Sequence, residues 1–167
     1  MTIEVRILPR KKFDEEDTCG LCRKENDKTI IELPKGASTR TRLHEIGHGI
    51  RDNFPDKMTI NDFVEEELEA ESFAFRRMDK VPTWKISLSV LNQIILDDNV
   101  NANQAFNSVL SGLNHVGVKV SKSDRSLLWQ MCLGLERTRN KTAIGEKFSE
   151  NYDYRYDDAY NRLRQEG

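Results

Sequence analysis

His44, Glu45 and His48 stand in the order His-Glu-x-x-His. On a helix, a spacing of four puts both imidazoles on one face, one turn apart, where they can hold the same metal ion. Glu45 is left beside the ion's open position, where a carboxylate can act as a base. Two histidines are one protein ligand short of a catalytic zinc site, which uses three plus a water. A variant of the motif adds Gly seven residues and His ten residues after the first His, but Arg51 and Phe54 hold those positions. The remaining histidine, His115, fits no nearby ligand spacing.

The acidic run from Val64 to Ser72, VEEELEAES, offers the missing carboxylate. Side chains three and four apart are neighbours on a helix, so the surroundings of each candidate can be read off. Glu65 has Asn61, Asp62, Leu68 and Glu69 around it, and Glu69 has Glu65, Glu66, Ser72 and Phe73, so both read as solvent-facing. Glu67 lies among Phe63, Val64, Ala70 and Glu71, which places it on the inward stripe, and Ala70 and Ala74 are small enough to let this helix approach the motif helix closely. Glu67 is the expected third ligand. Glu71, one turn on, is then placed to accept a hydrogen bond from the distal nitrogen of a liganding histidine, fixing its tautomer.

One zinc held by His44, His48 and Glu67 supplies an acidified water and a polarised carbonyl. Glu45 takes the proton of that water and later gives it to a leaving amine. A further donor for the developing oxyanion could come from His115 or from Tyr152 or Tyr156. His115, just before Gly117, also reads as an ordinary residue at a helix C-terminus, where partial positive charge favours the dipole.

The elements that must position these residues follow from periodicity. Thr2 to Leu8 alternates as a strand with Ile3, Val5 and Ile7 on one face, closed by Pro9 and the basic run Arg10 to Lys12. A second strand spans Thr29 to Leu33, and Leu21 to Arg23 can pair with it across a bend at Asn26. After Gly36 the period becomes helical. Ser38 or Thr39 caps a motif helix ending near Asn53, and Thr59 or Asn61 caps the ligand helix, which stops near Val81. Three more helices are expected, from Thr83 to Leu96, Asn101 to His115, and Ser121 or Ser123 to Arg137.

The fold class is therefore α+β: a small N-terminal sheet packed on the helix pair of the site, with a helical C-terminal half. Residues 1–82 form the core that carries the site, 83–145 a helical subdomain of the same globule, and 146–167 a charged, Tyr-rich tail. In the tail, Phe148, Tyr152, Tyr156, Tyr160 and Leu163 recur at helical spacing. They fit a docked amphipathic helix, a partly disordered end, or a segment that visits the cleft.

Composition excludes several classes. The 167 residues suit one domain, and 37% hydrophobic with 32% charged residues is globular rather than disordered. With 26 basic and 28 acidic side chains the net charge is −2, which gives no global signature of binding to nucleic acid or an anionic membrane. STRTR at Ser38 to Arg42 and the pair Arg76 and Arg77 read as solvated helix faces. No apolar stretch has the length of a signal peptide core or a membrane span, so a cytoplasmic location is expected. The odd count of 3 Cys fits reduced thiols. Cys19 and Cys22 have zinc-knuckle spacing without a second pair and read as turn residues, with a second metal or a redox role as alternatives. Cys132 shares an apolar stripe with Leu128, Met131 and Leu135 and reads as buried.

HEIGH at 44–48, followed by ELEAESFAF from Glu67, resembles the ImmA/IrrE-type metallopeptidases, a gluzincin group with His-Glu-x-x-His and then Glu-x-x-Ala-Asn-x-Phe-Ala. Glu67, Ala70, Phe73 and Ala74 match, and Glu71 stands where that pattern has Asn. The resemblance covers Thr29 to Arg77. It implies a zinc-dependent protease acting on a protein or peptide, often a repressor or regulatory protein. A module that keeps zinc as a structural element and binds a partner without cutting it is the alternative. Retention of Glu45 weighs against it, because a purely structural site has no use for a base beside an open position.

Overall fold

A computed structural model describes residues 2–15, 18–51 and 58–143. The tail expectation at 146–167, with Tyr152 and Tyr156, lies outside the described residues. The fold is α+β, as expected, with a small three-stranded N-terminal sheet followed by helices. The chain divides into two compact units, one of residues 1–58 and 69–81, the other of residues 59–68 and 82–167. A single helix, α3 (Ile60–Arg77), contributes to both.

In the first unit the strand order is β1 (Thr2–Leu8), β3 (Lys28–Pro34), β2 (Leu21–Glu25). β1 runs parallel to β3, from Thr2 opposite Lys28 to Leu8 opposite Pro34, and β2 runs antiparallel, from Leu21 opposite Glu32 to Glu25 opposite Lys28. Asn26, at φ +48°, turns the two-residue hairpin between β2 and β3, a left-handed conformation that Asn tolerates better than most side chains. The central strand is shielded on both faces: Ile30, Ile31 and Leu33 are buried, and so are Thr29 and Glu32.

A parallel pair cannot be joined by a tight turn. Part of the connection between β1 and β3 is a short helix, α1 (Arg10–Glu15), where the sequence had offered only a strand-ending Pro and a basic run. Its one buried residue is Phe13, too little periodicity to announce a helix. Lys12 of α1 reaches Glu32 of β3 at 3.1 Å, and Arg23 of β2 reaches the same carboxylate at 3.1 Å. Burial by itself pushes the Glu32 carboxyl up, but the hydrogen bonds and charges of Lys12 and Arg23 more than offset it and hold the group below the usual carboxylate range.

The motif helix α2 (Thr39–Arg51) starts at Ser38, whose Oγ accepts a hydrogen bond from the Thr41 amide at 3.1 Å. It packs on β2 and β3. Two glycines set how close its neighbours come. A Cβ on Gly49 would lie 3.2 Å from Ile31 and Thr29 of the sheet, and one on Gly47 would lie 3.1 Å from the Ala70 backbone of α3. α3 itself begins with a reciprocal cap: the Asp62 amide donates to Thr59 Oγ1 at 3.1 Å and the Thr59 amide donates to Asp62 Oδ2 at 3.0 Å.

In the second unit the first turns of α3 join helices drawn from Trp84 onward. Where one helix was expected from Thr83 to Leu96, three consecutive segments follow: a 3₁₀ turn Trp84–Ser87, α4 (Leu88–Asn92) and a π turn Gln93–Asp97. The wider turn leaves backbone carbonyls to be met, and the Arg139 guanidinium donates to Ile95 O at 3.0 Å and Val100 O at 2.7 Å. α5 (Ala102–His115) is capped by Asn101, whose Oδ1 accepts from the Gln104 amide at 2.8 Å. α6 (Lys122–Ala143) is capped by Ser121 and runs past the expected end at Arg137. Val64, Leu68, Leu91, Ile94, Leu113 and Leu128 form the centre of this unit's core. Among the described residues no helix is long and apolar enough to cross a membrane.

Candidate metal centre

The four-residue spacing on α2 brings His44 Nε2 and His48 Nε2 to 3.0 Å, with the ring planes at 83°. One ligand atom each from His44, His48 and Glu67 lie within 4.8 Å of one another, close enough to bind one metal ion. Two imidazole nitrogens bound to one tetrahedral zinc at about 2.0–2.1 Å are roughly 3.3 Å apart, within a few tenths of the separation here. The donor set is two nitrogens and one carboxylate oxygen, all three residues half-buried. Among the described residues no other group of three or more His, Cys, Asp or Glu side chains converges in this way.

Glu71 is drawn to the outer side of His44. Its Oε1 is 3.3 Å from His44 Nδ1, the nitrogen that faces away from His48, while Oε2 accepts a hydrogen bond from Arg40 Nε at 3.0 Å. Burial alone pushes the Glu71 carboxyl up, and the His44 and Arg40 contacts reverse this, so the group sits below the usual carboxylate range. Arg40 is held in turn by the face of Phe75, 5.1 Å from its centroid. Neither Arg40 nor Phe75 could be assigned to the site from local sequence, because both reach it through contacts across helices.

Glu45 is 8% exposed. The backbone just before β2 lies against it: a Cβ on Gly20 would come within 2.9 Å of Glu45 Cγ and Oε1. Thr18 Oγ1 donates to Gly20 O at 2.7 Å and fixes that approach. Local sequence gives Gly20 no link to Glu45. Its missing side chain is what leaves the carboxylate its space.

Two readings of α3 are corrected by burial. Glu69 is not solvent-facing: it pairs with Arg51, and its side chain is 22% exposed. Glu65 is half-buried. Glu66, to which the sequence reading gave no role, is buried, at 7% exposure. Acidic residues occur on every side of this stretch of α3, so the composition of a face did not reveal which side meets solvent.

His115 is the exposed last residue of α5, in the second unit, outside the converging group. Cys19 is exposed and Cys22 half-buried, with Cys22 Sγ 3.8 Å from the position of a Cβ on Gly49. Neither belongs to a converging group of ligands. Cys132 is buried in the second unit, where burial pushes its thiol up to about 12. Compared with protein-family models, curated proteins and solved structures, the chain matches none of them.

Proposed function

We propose that the chain is a zinc-dependent peptidase in which His44, His48 and Glu67 hold one zinc ion and Glu45 is the general base. The observation that carries this reading is the convergence of one ligand atom each from His44, His48 and Glu67, with Glu45 next to His44 in the chain and outside the converging set. Zinc, when bound to such a set, supplies Lewis acidity that lowers the pKa of water and polarises a carbonyl. The protein's part is to move protons and to hold geometry. Glu45 accepts the proton of the attacking water on a carboxylate oxygen and delivers it to the nitrogen of the leaving amine. Gly20 leaves room for that carboxylate, and its shielding from solvent keeps competing water from the base. Glu71 orients the His44 ring through Nδ1, and Arg40 orients Glu71.

The resemblance to ImmA/IrrE-type peptidases extends the reading to the substrate, a regulatory protein or a peptide segment of one. The experiment uses full-length protein, zinc titration, and a pool of fluorogenic peptides of mixed sequence. One zinc per chain is expected, with hydrolysis that a chelator stops. Glu45→Gln should retain zinc and fold while hydrolysis falls by about 10²-fold or more, the usual contribution of a positioned base. Failure to bind zinc overturns the reading, and so does hydrolysis that survives in Glu45→Gln. Zinc binding without hydrolysis by the parent chain would favour the non-cutting regulatory module.

A further inference from the structure

β1 is an edge strand of the sheet. Its inner side pairs with β3, and no strand lies beyond it among the described residues. Along that edge the backbone N–H and C=O groups that point away from β3 form a template for another strand. The strand also carries apolar surface. Ile3, Val5 and Ile7 share a face with Thr29, Ile31 and Leu33 of β3, but α2 packs over β2 and β3, leaving Val5 49% and Ile7 54% exposed. On the opposite face Glu4 and Arg6 pair with one another at 2.7 Å, and Arg6 also reaches Glu25 at 3.4 Å; the side chains of Glu4 and Arg6 are 40% and 37% exposed.

Natural edge strands commonly use charge to repel unwanted partners. Glu4 and Arg6, one on each side of Val5, discriminate among the registers in which β1 could pair with its own copy. We propose that β1 is a homodimerisation strand, pairing antiparallel with β1 of a second chain about a two-fold axis at Val5.

In that register Glu4 faces Arg6 of the other chain, Arg6 faces Glu4, Ile3 faces Ile7, and Val5 faces Val5. Both Glu4–Arg6 pairs on the charged face are then attractive, with Thr2 opposite Leu8 at its ends, and every pair on the other face is apolar, the combination that stabilises neighbouring strands. The alternatives fail on the same residues. Centring the axis on Glu4 sets Glu4 against Glu4, and centring it on Arg6 sets Arg6 against Arg6. An in-register parallel pair does both. An axis between two residues brings the apolar face of one strand onto the charged face of the other. The selected arrangement is isologous, so each chain gives and receives the same contacts and the assembly closes at two. It joins two three-stranded sheets into one of six strands, and it uses the edge opposite β2, leaving Gly20 and Glu45 uncovered by the partner. The inference does not depend on the proposed chemistry of the metal centre.

Sedimentation velocity on the full chain, from about 1 µM to 0.5 mM, tests it, since a small strand-mediated interface is expected to bind in the micromolar range. The parent chain should pass from monomer to dimer across that range. Arg6→Glu gives four acidic side chains at the junction, and Glu4→Arg gives four basic ones. Each should weaken self-association by at least tenfold, with far-UV circular dichroism unchanged. Mixing these two variants restores opposite charges in the same register and should yield a heterodimer. The double swap Glu4→Arg, Arg6→Glu should dimerise with itself again. Val5→Lys puts two ammonium groups on the axis and serves as a second disrupting variant should a charge reversal impair folding. A parent chain that stays monomeric to 0.5 mM overturns the proposal, its edge then being left to a different protein or to none. So does dimerisation that persists in Arg6→Glu and Val5→Lys, or a mixture of the two charge-reversed variants that stays monomeric.

Discussion

At the scale of single residues, the proposed site separates groups that would hold a metal from groups that orient them. Glu67→Gln removes the one charged ligand and should lower zinc affinity sharply, whereas Glu71→Gln, which acts through His44 Nδ1, should cost roughly 10 to 100-fold. Competition with a chromogenic chelator measures both. If Glu71→Gln strips the metal and Glu67→Gln keeps it, the ligand assignment is reversed. Gly20→Ala makes a different kind of cut. The added Cβ would meet Glu45 at 2.9 Å and push the carboxylate aside, so hydrolysis should fall while zinc affinity stays within about twofold, because no ligand is touched. Equal loss of zinc and activity would mean that Gly20 supports the fold rather than the base. The approach of His44 to His48 was legible from their spacing along one helix, whereas the faces of α3 did not separate Glu67 from Glu65 and Glu69, all three being half-buried. Gly20 against Glu45 and Arg40 against Glu71 join sequence-distant residues, and no local pattern encodes such contacts.

At the scale of elements, boundaries were legible wherever a cap or a turn residue announced them. β1 spans Thr2–Leu8 as its alternation implies, α3 begins where Thr59 and Asp62 form their cap, and α5 begins after Asn101. The misses have a common cause, since periodicity cannot see what lies beside an element. α1 has one buried residue, and the segment Trp84–Asp97 departs from a single α-helix where Arg139, remote in sequence, takes up its carbonyls. The alternation of β1 was likewise correct but did not reveal that its apolar side falls outside the cover of α2. Two substitutions test the elements. Thr59→Ala removes one half of the α3 cap and should lower the melting temperature by about 2–4 °C, the usual worth of a cap in a chain of this size. Gly47→Val forces branched carbons into the Ala70 backbone and should destabilise by roughly 1–3 kcal/mol, measured by urea unfolding. A neutral result there would mean that α2 and α3 separate easily.

At the scale of the whole molecule, acid stability is a property of the first unit as a body. Glu32 ties α1 and β2 to the central strand through Lys12 and Arg23, and its carboxyl titrates below the range of the unfolded chain. The stabilisation is therefore complete above the unfolded pKa of about 4.3 and is lost as pH falls through the lower folded value. Melting temperatures of the parent and Glu32→Gln should differ at neutral pH and converge below about pH 4; a gap that persists in acid would assign the effect to packing. The glycines of α2 have a consequence of another kind. Gly47 and Gly49 each cost a helix roughly 1 kcal/mol relative to Ala, so a peptide spanning 38–51 should be mostly coil and a poor zinc chelator. The 3.0 Å approach of the two imidazoles is then delivered by the sheet and α3, which hold the helix in shape. Metal release and loss of amide-exchange protection in α2 should accordingly be one cooperative event, and zinc should raise the protection of the β3 amides on which α2 packs.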